Sequence, residues 1–100
     1  MITGPICKAA RALVQISREK LATTANVGLG AIEMFEQGID TPDDEAIAAL
    51  QAALEELGAV FIPEEGANGA GVRLKFSRSI TDRLRTLVNE GGPSSTDAVP

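Results

Sequence analysis

The chain has 100 residues, 44% of them hydrophobic, and its only aromatic residues are three Phe. A chain of this length forms one domain around a single modest core, which excludes a large catalytic cavity. The formal net charge of −5 excludes a surface that attracts phosphate everywhere, so any nucleic-acid binding must depend on a local patch. The shortage of aromatic rings disfavours a platform on which single-stranded bases stack.

The cysteine and histidine content limits the disulfide, metal and catalytic chemistry that the chain can perform. The lone Cys7 has no disulfide partner in the chain, and its place in an apolar helical pattern predicts a buried thiol in a reducing compartment. We expect no enzyme activity, metal site or cofactor, because the chain lacks His, a phosphate-binding glycine motif and an opposed pair of carboxylates. No apolar run approaches the ~20 residues of a membrane span, so we expect a cytoplasmic protein without a membrane partner.

Apolar periodicity predicts two amphipathic helices that flank a central stretch. The first begins near Pro5, and its inward residues are Ile6, Ala9, Ala10, Leu13 and Val14. The second begins at Thr41–Pro42, an N-cap followed by proline, and is followed by the acidic residues Asp43, Asp44 and Glu45. It ends at Gly58, and its predicted inward residues are Ile47, Leu50, Leu54 and Leu57.

The central stretch, residues 17–38, predicts a helix-turn-helix. Ser17 is expected to cap a short helix, and Asn26 suits the left-handed backbone of a sharp turn. A second helix is predicted over about Leu29 to Gln37, with Gly38 as its stop. The predicted inward residues of the two helices are Leu21, Ala22, Ala25, Ile32 and Phe35.

The remaining sequence predicts a hairpin and one more helix. Residues 59–62 and 71–76 have the composition of strands, joined by a Gly-rich loop, and we expect the hairpin to lie on the helices or to pair with a second copy. We therefore predict a mainly α protein with a helix-turn-helix domain of four helices (1–58), a β-hairpin extension (59–76), a C-terminal amphipathic helix (77–90) and a disordered tail (91–100).

From Ile6 to about Phe76, the sequence resembles the XRE family of bacterial and phage DNA-binding domains, the Cro- and lambda-repressor-like helix-turn-helix. The resemblance is carried by Arg11, the SREKLA segment, a small turn residue and a Thr-Pro at positions 41–42. It is also carried by the pattern Ile32-x-x-Phe35-Glu36-x-Gly38. The ending AVFIPEEGANGAGVRLKF departs from the commonest members, in which a fifth helix follows, and is similar to a subgroup with a GVxFI…GGxGVRL tail.

The resemblance implies a structural role for one pair of charged residues. In such folds, the Arg of the first helix commonly forms a buried ion pair with the Glu that ends the recognition helix, which here means Arg11 with Glu36. A buried charge needs a partner, so we interpret this pair as structural.

The resemblance also implies a DNA-binding transcriptional regulator that places helix 29–37 in the major groove of double-stranded DNA. The residues expected at the base edges are Gly28, Leu29, Gly30, Glu33 and Met34, and none is Arg, Lys, Asn or Gln. Arg18 and Lys20, on the helix of residues 18–25, are candidates for phosphate contacts or for a solvated helix face. The alternative is a helix-turn-helix fold that binds another regulatory protein, of the anti-activator or antirepressor type, with little or no DNA binding.

Dimerisation is expected, because one helix-turn-helix domain contacts few base pairs and a two-fold dimer doubles the length of the DNA site. The sequence does not decide whether the dimer interface is formed by the hairpin or by the C-terminal helix. The candidate residues are Val72, Leu74, Phe76, Ile80, Leu84 and Leu87.

Overall fold

The structure, a computed structural model, describes residues 1–77. Four helices, α1 (Gly4–Val14), α2 (Arg18–Ala25), α3 (Leu29–Glu36) and α4 (Asp44–Glu56), precede two strands, β1 (Ala59–Ile62) and β2 (Gly71–Leu74). The strands form an antiparallel hairpin in which Ala59 pairs with Leu74 and Ile62 pairs with Gly71. The prediction of four helices followed by a hairpin is confirmed. Apart from Ser77, the predicted C-terminal helix and tail lie outside the described residues.

Local sequence signals set both ends of α2 and the end of α3. The Ser17 hydroxyl accepts the backbone N–H of Lys20 at 3.0 Å, as expected of an N-cap. Asn26 adopts the predicted left-handed conformation, with φ 56° and ψ 47°. Gly38 follows α3 with φ 73°, a conformation in which glycine has no steric penalty. These three predictions are confirmed.

The start of α4 corrects the prediction based on Thr41–Pro42. The N-cap is Asp43, whose carboxylate accepts the backbone N–H of Ala46 at 2.8 Å. The expectation that Thr41 caps the helix is therefore wrong by two positions. An ionised Asp makes a charge-assisted hydrogen bond and interacts favourably with the helix dipole, so it outcompetes the Thr-Pro signal.

The buried face of α4 also differs from the prediction at the last turn of the helix. Ile47, Leu50 and Leu54 are buried as predicted, but Leu57 is 36% exposed. Leu57 is the C-cap, where the chain leaves the helix and continues into β1. Ala53, one turn earlier, is buried.

The core lies between the four helices and one face of the hairpin. β1 packs against α1 and α4, and β2 packs against α1, so the expectation that the hairpin lies on the helices is confirmed. The largest fully buried side chains are Leu21, Ile32, Leu50, Leu54, Val14 and Cys7.

Gly4 permits a close approach between the first turn of α1 and the end of α3. An added Cβ at this buried residue would overlap with the carbonyl oxygen of Phe35 and lie 2.7 Å from the carbonyl carbon. Any larger residue would push the helices apart. The position of α1 against α3 therefore depends on glycine at this site.

Candidate functional site

Three residues, Asn26, Val27 and Gly28, join α2 to α3. The left-handed Asn26 reverses the chain, and the backbone N–H of Val27 donates to the carbonyl of Ala22 at 3.1 Å. The Val27 side chain packs against the core, while Gly28 is exposed and begins α3 without a side-chain cap. Val27 therefore fixes the turn to the core, while Gly28 presents no side chain on its outer surface.

One buried carboxylate, that of Glu36, connects α1, α2 and α3. Arg11 donates from Nε to Oε2 and from Nη2 to Oε1, both at 2.9 Å. Arg18 donates from Nε to Oε1 at 3.0 Å. The Glu36 side chain is 0% exposed, so these hydrogen bonds replace its hydration. Arg11 and Glu36 thus form the ion pair that the family resemblance implies.

Arg11 also fixes the segment between α1 and α2. Its Nη1 donates to the carbonyl of Ile16 at 3.3 Å, next to the N-cap Ser17. A single guanidinium therefore holds the end of α3 and the start of α2 in place.

The electrostatics of this cluster favour a fixed carboxylate. Burial alone raises the pKa of Glu36, but the hydrogen bonds from Arg11 and Arg18 outweigh it, and the net pKa lies below its ordinary value. The thiol of Cys7, fully buried as predicted, donates to Oε2 of Glu36 at 3.8 Å. Burial and the neighbouring carboxylate raise the pKa of Cys7 from 9.0 to about 12, so the thiol stays protonated at neutral pH.

The outer face of α3 carries no cation. Ile32, Phe35 and Glu36 face inward and are buried, which leaves Gly30, Ala31 and Met34 exposed. Met34 is 44% exposed. Leu29 and Glu33 are half-buried. We call Gly30, Ala31, Glu33 and Met34 the α3 outer face.

Gln37 is an exposed polar residue that the sequence-based site missed. It is the C-cap of α3 and lies three and seven residues after Met34 and Gly30, so it shares their side of the helix. That spacing is visible in the sequence. Its amide is a hydrogen-bond donor and acceptor at the far end of the α3 outer face.

The two predicted phosphate-binding residues differ in their surroundings. Arg18 is 31% exposed, and its Nε is engaged by Glu36. Lys20 is exposed, and no ion pair within residues 1–77 involves it. Lys20 is therefore the more available of the two charges, a difference that the sequence alone did not reveal.

The predicted dimerisation residues are only partly exposed. Val72 and Leu74 pack against the core from β2, while Phe76 is 43% exposed. Ile80, Leu84 and Leu87 lie outside the described residues. Among the three candidates that the structure describes, Phe76 is thus the most exposed, and its ring carries the ammonium of Lys75 at 5.6 Å from the centroid.

An open groove of about 470 Å³ lies between the N-terminal residues and the hairpin. Its apolar lining includes Ile2, Ile6, Phe61 and Ile62, and its polar lining includes Gln51 and Glu64. None of the predicted site residues lines it, so the groove is separate from the α3 outer face.

The sequence matches neither a protein-family model nor a curated protein. In the described part of the chain, no group of three or more His, Cys, Asp or Glu side chains is arranged to hold a metal ion. None of the helices within residues 1–77 combines the length and the apolar character needed to cross a membrane.

Proposed function

We propose that α2, its turn and α3 form a helix-turn-helix, and that the protein is a dimeric transcriptional regulator that binds double-stranded DNA. The observation that carries the proposal is the contrast between the two sides of α3. Its inner side is fixed to α1 and α2 through Glu36, whereas its outer face has no partner within the described residues. A helix held in this way fits the major groove, which is about 12 Å wide.

The XRE-family resemblance supports the same function through the order and spacing of its motif. The three-residue turn with Asn26 in the left-handed conformation agrees with a helix-turn-helix connection. On this basis we propose to group the protein with the small XRE-like regulators and to assign Lys20 as its principal phosphate contact on α2.

A dimer makes this function effective, because each α3 spans only a few base pairs. The described surface offers Phe76 beside the hairpin as part of the interface. The remaining candidate contacts, Ile80, Leu84 and Leu87, belong to the segment after Ser77.

The proposal is tested by selecting binding sites for the 100-residue chain from a random duplex library. Affinity for the selected duplex is then measured between about 50 and 200 mM salt. We expect a complex that weakens with salt, and Lys20→Ala should make the slope of log Kobs against log salt shallower by about 1 per protomer.

Lys8→Ala is the matched control, because Lys8 is an exposed lysine on α1 rather than on α2. It should leave the slope unchanged. The absence of any salt-dependent complex at micromolar protein overturns the proposal. Arg18→Ala is the weaker test, because it also removes a hydrogen bond to the buried Glu36.

A second candidate function is binding to another regulatory protein, and the lack of cations on the α3 outer face favours it. Met34 and Ile39, which is 64% exposed, provide apolar surface at the end of α3. Met34→Lys separates the two functions. An added cation strengthens general DNA affinity, whereas a lysine in an apolar protein interface weakens the complex.

A further inference from the structure

We infer that the α3 outer face reads thymine through apolar contact with its C5 methyl group, made by Met34 and Ala31, and does not read guanine. This inference rests on the proposed function. It names the base chemistry that the same site recognises, and thereby the class of DNA sequence that the protein selects.

The chemistry of the exposed side chains carries the inference. Guanine presents two acceptors in the major groove, which are read by paired donors such as those of Arg or Lys. The α3 outer face holds a glycine, an alanine, a methionine and one carboxylate, and none of these side chains donates. The thymine methyl is the one base-edge group in the major groove that matches an alkyl or thioether surface.

Gly30 gives the base edge access to this surface. It lies four residues before Met34, so the two residues are neighbours on the helix surface and the missing side chain leaves space beside Met34. A Cβ at Gly30 would meet nothing within 4 Å, and a helical glycine is less favourable than alanine by about 1 kcal/mol. Internal packing therefore does not require glycine here, whereas close approach of a base pair does.

The polar residues beside this surface agree with the same class of site. The carboxylate of Glu33 can accept from the N6 amino group of adenine and cannot donate to guanine. Gln37, at the far end of the face, matches adenine, the partner base of thymine. The expected sites are therefore rich in A·T pairs at the positions that α3 contacts.

The test replaces thymine by deoxyuracil, one position at a time, in the duplex selected from the random library. This change removes only the methyl group and keeps the base pair. At the contacted positions we expect the wild-type protein to lose about fourfold in affinity for each methyl removed.

Met34→Ala should abolish this discrimination at one or more positions. Ile62→Ala, which truncates a residue of nearly equal exposure on the hairpin, 43% against 44%, should preserve it. If the protein binds the selected duplex but is indifferent to every deoxyuracil, the inference is wrong and the proposed function stands. A loss on replacing guanine by 7-deazaguanine at a contacted position also overturns the inference. If no duplex is bound, the proposed function itself fails.

Discussion

Two helical glycines illustrate how a single methyl group has opposite effects in different surroundings. At Gly4, a Cβ overlaps with the backbone of Phe35, so Gly4→Ala should destabilise the protein by at least about 2–3 kcal/mol. At Gly30, the same group meets nothing within 4 Å, so Gly30→Ala should stabilise it by about 1 kcal/mol. The measurement is urea unfolding followed by circular dichroism for both variants.

Each variant serves as the control for the other, because the chemical change is identical. An unchanged unfolding midpoint for Gly4→Ala would contradict the close contact between α1 and α3. A destabilised Gly30→Ala would show that the α3 outer face is covered in the isolated protein.

Some residue-level features of the site were predictable from sequence, because they depend on neighbours in the chain. Ser17 and Asn26 were assigned correctly, since a cap and a left-handed turn are local properties. The Arg11–Glu36 pair followed only from the family resemblance. Arg18 as a second partner of Glu36 was not foreseen, because their contact depends on how α2 and α3 fold together.

At the level of whole elements, the type and order of the helices and strands followed from periodicity, whereas the details of α4 did not. Spacing alone cannot separate two adjacent capping signals or show where the last turn leaves the core. Ala53 on α4 and Ala59 at the start of β1 are buried, whereas Leu57, which lies between them in the chain, is 36% exposed. β1 packs against α4, and helical spacing alone cannot predict this tertiary contact.

The corrected start of α4 gives a prediction that distinguishes the two capping signals. Asp43→Ala removes the hydrogen bond to Ala46 and should lower the free energy of unfolding by about 1 kcal/mol. Thr41→Ala, at the position that the sequence favoured, should change it by less than about 0.5 kcal/mol. The urea unfolding midpoints of the two variants show which substitution destabilises the protein more. A larger effect at Thr41 would support Thr41 as the N-cap.

At the scale of the whole molecule, the arginines nearest α3 stabilise the fold by pairing with a buried carboxylate. Arg11 and Arg18 both donate to Glu36, and α3 itself carries no cation. Within residues 1–77, Lys20 is the exposed cation of α2. Under the proposed function, a net charge of −5 predicts a modest general attraction for DNA, with recognition through apolar and local contacts.

The same cluster predicts how the molecule responds to acid. The pKa of Glu36 is lowered in the folded state, so the carboxylate contributes stability above its ordinary value of 4.5. That contribution is lost as the pH falls through the pKa that Glu36 has in the folded protein, which lies below 4.5. Self-repulsion acts in the opposite direction, because the net charge approaches zero near the isoelectric point of about 4.6.

Comparing the wild type with Glu36→Gln separates the two effects. At pH 7 the variant should be less stable by about 3 kcal/mol, because two partly buried guanidinium groups lose their partner. Towards pH 3 the difference should shrink, since the wild-type carboxyl then begins to protonate. Urea unfolding at both pH values measures it, and a difference that is independent of pH would contradict the lowered pKa. If the variant does not fold, titration of the Glu36 carboxyl by carbon-13 NMR in the wild type gives the pKa directly, and a value above 4.5 would show that burial outweighs the two arginines.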